Sequence, residues 1–288
     1  MVLTVAVMVF LAPVAMTDTT DGLVAQWDFN EGEGSVLHDR HGENNGQIVG
    51  AQWVPCGNGH ALRFDGDNDY VDCGDSPALD LRGPLTLQAW VKPSSANRGE
   101  PGIAGKYFES YALTYWGDAY FYISSGGNQV FGVLKMNTWT HVAGTFDGTF
   151  CRVYINGVEA RCHTSKFKDV NPGNHFFIGC ISKEPLNPPR AVAETGYFPG
   201  EIDSVRVHNR ALSQAEILHD YNLEAAEKGL EPFDLNRLGA FALEPFFYPN
   251  DNRAVLSVNS RWALPLPEGA MVKAEFAHAG QDTLIQSV

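Results

Sequence analysis

Carboxylate and amide side chains recur in the turn-rich stretches of this sequence. They fall at Asp28, Asn30, Glu31, Asp39, Asn45, Asp65, Asp67, Asp69 and Asp203. Hard oxygen ligands presented by turns are the donors that calcium prefers. No stretch has the spacing of an EF-hand loop, and an Asp or Asn in a turn also caps the backbone without any metal. A structural calcium ion is one hypothesis, and turn capping is the other.

A second segment with chemical potential is aromatic. Residues 106–125, KYFESYALTYWGDAYFYISS, carry more rings than one inner sheet face can bury. If Tyr111 and Tyr115 point inward, Trp116 falls at a turn and Tyr120 and Tyr122 face outward. Sugars stack their C–H faces on such rings and hydrogen-bond to nearby polar groups. We expect Trp116, Tyr120 and Tyr122 to contribute to a glycan or protein contact surface; a partly buried, structural sheet face is the alternative.

The five cysteines leave at least one thiol unpaired. Asn156-Gly157 is a strong signal for a two-residue hairpin, and a type I′ turn there would place Cys151 opposite Cys162. Opposed strand residues lie within disulfide reach. Two small buried apolar side chains are the alternative. The chain has no CxxC or zinc-finger spacing, so neither reading predicts catalytic cysteines.

Charge and motifs exclude several classes of function. The formal net charge is −14, and a surface of that sign repels phosphate backbones and anionic headgroups, so we expect no nucleic-acid partner. There is no GxSxG elbow, no HExxH pair and no phosphate loop, and the nine histidines lack ligand spacing. The sequence therefore predicts no catalytic residues of these types.

The first sixteen residues are apolar apart from Thr4, and Pro13 interrupts the run. Such a run is short for a spanning helix and is typical of an export signal. We expect residues 1–17 to be a signal peptide or N-terminal apolar segment, and the protein to be secreted or at the cell surface. No integral membrane span is expected after signal removal. An uncleaved anchor or a misassigned start is the alternative.

The positions of turns and strands predict an all-β class. Turn signals occur at Asp65-Gly66, Gly126-Gly127, Asp147-Gly148 and Asn156-Gly157. Between them apolar residues alternate with polar ones, as in PLTLQAWV and YALTYW, so each strand has one face to bury. Sheets that are apolar on one face stack on a second sheet. The pattern predicts an antiparallel two-sheet sandwich.

One helix and a change of pattern follow the predicted strands. Ser213 and Glu216 have the spacing of a capping box, which predicts a short C-terminal helix ending near Gly229. Beyond it the sequence becomes rich in proline and aromatic residues and then alternates again. We expect residues 230–288 to be a linker and part of a second β domain.

Six segments follow one another between residues 22 and 226. They are GLVAQWDFNEGEG, HDRHGENNGQIVGAQW, HALRFDGDNDYVDCGDSPALD, LTLQAWVKP, NTWTHVAGTFDGTFCRVYINGVEA and GEIDSVRVHNRALSQAEI. In this order they resemble the laminin-G-like domains of the concanavalin A-like lectin and glucanase superfamily. The resemblance implies a jelly-roll sandwich over residues 22–226. It implies less about function, because similar modules serve as lectins, adhesion units and enzyme appendages.

The same resemblance implies a metal site. The segment GEIDSVRV is similar to the closing strand of related jelly rolls, whose acidic residue holds a structural calcium ion against the loop after the first strand. This implies Asp203 as a ligand, with Asp28 and the loop from Asp39 to Asn45 opposite it. We expect a structural Ca²⁺ ion held by these four residues.

The same closing strand also bears on catalysis. Glucanases of this superfamily use E-x-D-x-E or E-x-D-x-x-E strands, in which one glutamate attacks and the other donates a proton. Here Val205 and Arg206 stand where the second glutamate would follow Glu201. The sequence therefore favours a non-catalytic extracellular module that binds a glycan or an extracellular protein. A glycoside hydrolase and a structural spacer of a larger surface protein are the alternatives.

Overall fold

The computed structural model describes residues 3–10, 19–95, 100–107, 110–123, 130–166, 174–181, 196–233, 242–248, 253–259, 271–278 and 284–287. The predicted Gly126-Gly127 turn and residues 11–17 of the apolar segment lie outside these ranges. The chain divides into two compact units, Thr19–Asp234 and a second unit formed by Met1–Asp18 with Leu235–Val288. The predicted domain limits and the predicted export signal stay predictions.

The described part of the chain is mostly strand. The first strands are β1 (Leu3–Phe10), β2 (Leu23–Trp27), β3 (Val36–Leu37), β4 (Gly46–Val49), β5 (Gln52–Cys56), β6 (Gly59–Asp65), β7 (Tyr70–Asp72), β8 (Leu85–Pro93), β9 (Gly102–Lys106), β10 (Tyr111–Tyr115) and β11 (Asp118–Ile123). The later strands are β12 (Val130–Val133), β13 (Thr140–Phe146), β14 (Phe150–Ile155), β15 (Val158–Thr164), β16 (Phe176–Ile178), β17 (Pro199–His208), β18 (Ala242–Tyr248), β19 (Arg253–Asn259), β20 (Met271–His278) and β21 (Leu284–Ser287).

The unit Thr19–Asp234 contains two large antiparallel sheets. Sheet 1 has the order β12-β11-β10-β9-β16-β7-β4-β3. Sheet 2 has the order β15-β14-β13-β8-β17-β6-β5, and β2 also pairs with β17. Hairpin neighbours at the sheet edges are consecutive in sequence, whereas the central neighbours, such as β9-β16 and β8-β17, are distant, as in a jelly roll. The predicted two-sheet antiparallel sandwich is confirmed.

The second unit is described as separate strand pairings. Strand β20 lies between β1 and β21, and β18 pairs with β19. All of these pairings are antiparallel. The N-terminal apolar segment thus contributes a strand, β1, to the sheet that contains Met271–His278.

Helices are few in the described residues. A 3₁₀ turn spans Pro77–Leu79, helix α1 spans Gln214–Glu224, and a 3₁₀ helix continues over Ala225–Lys228. Ser213 and Glu216 form the predicted capping box. Gly229 ends the helical segment in the left-handed region, at φ 71°. The predicted short C-terminal helix and its end are confirmed. None of the described helices has the length and apolarity needed to cross a bilayer.

The core lies between the inner faces of the two sheets. In β2 the side chains alternate between buried and half-buried, as a strand with one covered face requires. Trp27 of sheet 2 stacks on Phe176 of sheet 1, with ring centroids 5.3 Å apart. Strand β8 is buried on nearly its whole length, because α1 covers the outer side of sheet 2. Apolar burial of this kind is the main stabilising contribution to the sandwich.

One close contact between the two sheets requires a glycine. Gly144 lies on β13, and a Cβ atom there would stand 2.1 Å from Cγ of Phe121 on β11. Phe121 is fully buried and part of the core. A methyl group at residue 144 would therefore push the aromatic ring, and with it sheet 1, away from sheet 2.

We predict that Gly144→Ala destabilises the sandwich by roughly 1–3 kcal/mol, the usual cost of overpacking a well-packed core. The measurement is the midpoint of urea unfolding, monitored by tryptophan fluorescence. Gly83→Ala is the control, because a Cβ at residue 83 meets no atom within 4 Å. An equal midpoint for both variants would contradict this account of sheet contact.

Candidate functional site

The most exposed aromatic side chain of the described segments lies at the β10–β11 turn. Trp116 is 60% exposed, and its backbone N–H donates to the carbonyl of Asp118, which closes the turn. Its ring centroid lies 6.4 Å from that of Tyr120 on β11. The ring of Tyr120 lies in turn 5.5 Å from that of Phe131 on the neighbouring strand β12. We refer to Trp116, Tyr120 and Phe131 as the aromatic row.

Strand alternation explains why the row faces outward. Ala119 and Phe121 on β11 are buried in the core, so Tyr120 between them points to the opposite side of sheet 1. Tyr120 is paired directly with Phe131, which places the two side chains on the same face. Both rings are half-buried, and Trp116 at the end of the row is open to solvent.

Charged groups surround the row. The guanidinium carbon of Arg161, an exposed residue on β15, lies 3.8 Å from the ring centroid of Phe131. Burial raises the pKa of Tyr120, the carboxylates of Asp118 and Glu100 raise it further, and Arg161 acts in the opposite direction. The site thus combines ring faces with hydrogen-bond donors and acceptors, which is the composition expected for binding a polyhydroxylated ligand.

Tyr122 does not join the row. Its side chain is 8% exposed and packs edge-on against Tyr107, with ring centroids 5.8 Å apart. Burial raises its pKa well above the ordinary value. Period-two alternation places Tyr122 on the same face as Tyr120, as predicted, but Tyr107 covers it. The structure therefore brings together Trp116 and Tyr120 and leaves Tyr122 in a structural position.

The sequence pattern does not single out Phe131 or Arg161. Phe131 lies on a short strand, VFGV, that has no strong alternation. Arg161 comes from the edge strand of sheet 2, so only the folded arrangement places it over a ring of sheet 1. The nearest sequence signals are the Gly126-Gly127 turn signal before β12 and the Asn156-Gly157 turn before β15, and neither marks these two side chains.

Asp39 and Asn45, two of the predicted calcium ligands, organise a loop. One Asp39 oxygen accepts backbone N–H groups of Gln26, His41 and Gly42, and the other accepts two N–H groups of Asn44. Burial alone would raise the pKa of Asp39, but these hydrogen bonds outweigh it and the pKa is lowered. Asn45 accepts the backbone N–H of Asp39 at 2.9 Å.

Asp28 and Asp203 line one polar cavity of about 100 Å³, but each is paired with a cation of the protein. Asp28 accepts Nε of Arg40 at 3.1 Å. Asp203 pairs with Nζ of Lys228, and both of these side chains are buried. Burial raises the pKa of Asp203 to about 6, against the opposing effect of Lys228.

The four predicted ligands therefore do not fit one calcium ion. Asp39 and Asn45 are used by the loop backbone, and Asp28 and Asp203 are neutralised by side chains. Within the described ranges, no group of three or more His, Cys, Asp or Glu side chains is placed to hold a metal ion. Calcium binding itself stays a prediction.

The predicted Cys151–Cys162 disulfide is absent, and the predicted register of the β14–β15 hairpin was wrong by one residue. The hairpin turns at Asn156-Gly157 as expected, but a register shift between Val153 and Tyr154 moves the partners by one residue. Cys151 lies opposite His163, and Cys162 lies opposite Arg152. Both thiols are free, one buried and one exposed. Burial raises the pKa of Cys151 to about 12, so it behaves as the small apolar residue of the alternative reading.

Glu201, the residue of the glucanase-like triplet, lies in a groove of about 520 Å³ on sheet 2. Its two oxygens accept Nη2 of Arg63 at 2.8 Å and Nζ of Lys92 at 3.2 Å. The neighbouring Asp203 is held by Lys228. Glu201 thus lies between two cations, and Asp203 is paired with one.

A family model identifies the superfamily to which the chain belongs. The Laminin_G_3 model, described as the concanavalin A-like lectin/glucanases superfamily, matches residues 65–218, just over half of the sequence. The chain belongs to the concanavalin A-like lectin/glucanase superfamily. A search among curated proteins gave no match. The suspected family is confirmed, and the match includes the aromatic row and Asp203.

Solved structures of low identity share the fold of this superfamily member. The binding domain of Paraclostridial Mosquitocidal Protein 1 is 12% identical with a TM-score of 0.59, over 94% of this chain and 74% of that one. Domain 4 of AbnA, an extracellular arabinanase from Geobacillus stearothermophilus, was solved with arabinotriose. It is 22% identical with a TM-score of 0.53, over 69% of this chain and 97% of that one.

Trypanosoma rangeli sialidase in complex with sialic acid is a third structure of this kind. It is 18% identical with a TM-score of 0.55, over 70% of this chain and 33% of that one. The chain thus spans about a third of the length of the sialidases that it matches. At these identities the similarity shows the fold alone.

His141 illustrates the electrostatics on the outer side of sheet 2. It is fully buried beneath α1, with its ring 5.3 Å from Trp90 and 6.2 Å from Tyr221. Among the described residues neither ring nitrogen has a hydrogen-bond partner. Burial therefore lowers the pKa of His141 to about 4. The ring is neutral in the folded protein, and it serves packing instead of proton transfer.

We predict that His141 makes the fold acid-sensitive. A folded pKa of about 4 lies below the ordinary unfolded value of about 6.5, so this contribution is complete above pH 6.5 and is lost as pH falls towards 4. Between pH 7.5 and 5 the loss is about 2 kcal/mol. Denaturant unfolding at both pH values should show this loss in the wild type and a smaller one in His141→Phe.

The exposed residue His41 provides the control. His41→Phe should keep the wild-type dependence on pH. If His141→Phe also kept it, the buried ring would not be the titrating group.

Proposed function

We propose that this chain is a non-catalytic, extracellular carbohydrate-binding module that recognises neutral glycans through the aromatic row. The observation that carries the proposal is the exposure of Trp116, at 60%, beside two further rings on one face of sheet 1. An indole in this position is costly to leave in water, and a sugar ring is a suitable cover because its C–H face is apolar.

The polar groups around the row favour a neutral sugar. Asp118 and Glu100 lie close enough to Tyr120 to raise its pKa, and their carboxylates accept hydroxyl hydrogen bonds. Arg161 offers donors at the Phe131 end. A chain with a net charge of −14 and carboxylates at the site repels uronates, sialates and sulfated sugars. Neutral pentoses and hexoses meet no such repulsion.

The state of the carboxylates on β17 supports a non-catalytic role. Glycosidases need two carboxyl groups that flank the scissile bond, one of them protonated when it acts as the acid. Glu201 is held between Arg63 and Lys92, and Asp203 is paired with Lys228. These cations occupy carboxylate oxygens that a substrate would need.

The similar structures are consistent with this proposal. Domain 4 of the arabinanase was solved with a bound oligosaccharide, and the mosquitocidal protein contributes a binding domain. Both share the fold of this chain over most of its length. We therefore infer a glycan partner, and secretion or display at the cell surface gives the module access to it.

We predict that Trp116→Ala weakens binding at least tenfold, which corresponds to about 1.4 kcal/mol. The measurement is a neutral-glycan array, followed by calorimetry with the strongest oligosaccharide on it; arabinotriose is included as a defined probe. Because Trp116 is exposed, the melting temperature should change little. Leu223→Ala is the control, since Leu223 is 62% exposed on α1, outside the row.

Three outcomes would contradict the proposal. One is an array on which no neutral glycan binds, and another is equal affinity of wild type and Trp116→Ala. The third is release of reducing sugar that Glu201→Gln abolishes, because it would show a hydrolase acting in the groove of sheet 2.

A further inference from the structure

A buried charge lies where the family resemblance implies a metal ion. Lys228, on the 3₁₀ helix Ala225–Lys228, pairs with Asp203 of β17. The side chains are only 3% and 4% exposed. Nζ of Lys228 also lies 3.4 Å from Sγ of Cys56 and 5.3 Å from the ring centroid of Trp139. Burying an ammonium group is unfavourable without such partners, so these contacts hold the side chain of Lys228 in this position.

A second ion pair lies beside the first with the opposite polarity. Arg206 of β17 pairs with Glu224 at the end of α1. The strand thus offers a negative charge at Asp203 and a positive charge at Arg206, and the helical segment offers the complementary charges. Only one placement of the segment satisfies both pairs, because any shift would bring like charges together.

Strand β17 is irregular between Asp203 and Arg206, the two residues that form these ion pairs. The register of β17 against β8 shifts between Asp203 and Arg206, and Ser204 adopts a left-handed φ of 48°. Such a backbone conformation is unfavourable in a residue other than glycine and persists only where the surroundings hold it. Ser204 Oγ donates to Oδ1 of Asp203 at 3.3 Å.

We propose that the ammonium group of Lys228 takes the place of a calcium ion in this domain, so that the sandwich and its C-terminal helix are stable without a metal. The other implied ligands agree with this reading. Asp28 is paired with Arg40, and both oxygens of Asp39 are filled by N–H groups. Each position that a calcium ion would neutralise has a donor from the chain itself.

The proposal gives the helical segment a defined role. Residues 214–228 cover the outer side of sheet 2 and place the ammonium group of Lys228 in the cavity lined by Asp28 and Asp203. Removing the cation should leave a buried carboxylate unpaired, which is more damaging than removing both partners together.

The first test is metal dependence of the wild-type protein. Melting in excess calcium and in excess chelator should give midpoints within about 1 °C of each other, and calorimetry should give no binding heat at millimolar calcium. A midpoint that falls with chelator and recovers with calcium, or saturable calcium binding, would overturn the proposal.

The second test is a set of variants melted in chelator. Lys228→Met should lower the midpoint by on the order of 10 °C, the expected effect of breaking a buried ion pair in a domain of this size. Lys228→Arg should retain most of the midpoint. The double variant Asp203→Asn with Lys228→Met should recover much of the loss.

The control is Lys135→Met, which removes an exposed lysine. Its midpoint should stay close to that of the wild type. If Lys228→Met melted within 2 °C of the wild type, the ammonium group would not have the role proposed. If Lys228→Met failed to fold, folding of Lys228→Arg and Lys135→Met would still support the charge requirement, and failure of Lys228→Arg as well would contradict it.

Discussion

The contact between the inner faces of two twisted sheets constrains everything else in the unit Thr19–Asp234. Trp27 stacks on Phe176 across this contact, and Phe121 needs Gly144 opposite it. Because side chains alternate along each strand, fixing the inner faces also fixes which residues point outward. The positions of Trp116 and Tyr120 on one sheet, and of His141 on the other, follow from that single requirement.

The outer faces of the two sheets differ in how far they are covered. Sheet 2 is covered by α1, so polar and ionisable groups such as His141 and Asp203 become buried, and they require packing or partners from the helical segment. At the edge of sheet 1 that includes β10, β11 and β12, the rings of the aromatic row are only partly covered. The first arrangement contributes stability, and the second leaves rings partly exposed at the proposed binding surface. We infer that the fold separates these two tasks between its faces.

The sequence predicted those features that depend on local pattern. Alternation, the capping box at Ser213 and the Asn156-Gly157 turn all appear as expected. It failed where one residue of register decides the outcome. The bulge in the hairpin moved Cys162 opposite Arg152, and no local signal marks it. Contacts between distant segments, such as Lys228 with Asp203 and Arg161 over Phe131, arise only from the folded topology.

The central claim, that the aromatic row is the glycan-binding surface, can be tested directly by nuclear magnetic resonance. The indole N–H signals of the six tryptophans are recorded while the strongest neutral oligosaccharide is added. The account predicts that the Trp116 signal shifts in a saturable manner and that those of the buried Trp27 and Trp90 do not. Saturable binding that leaves the Trp116 signal unchanged would contradict it.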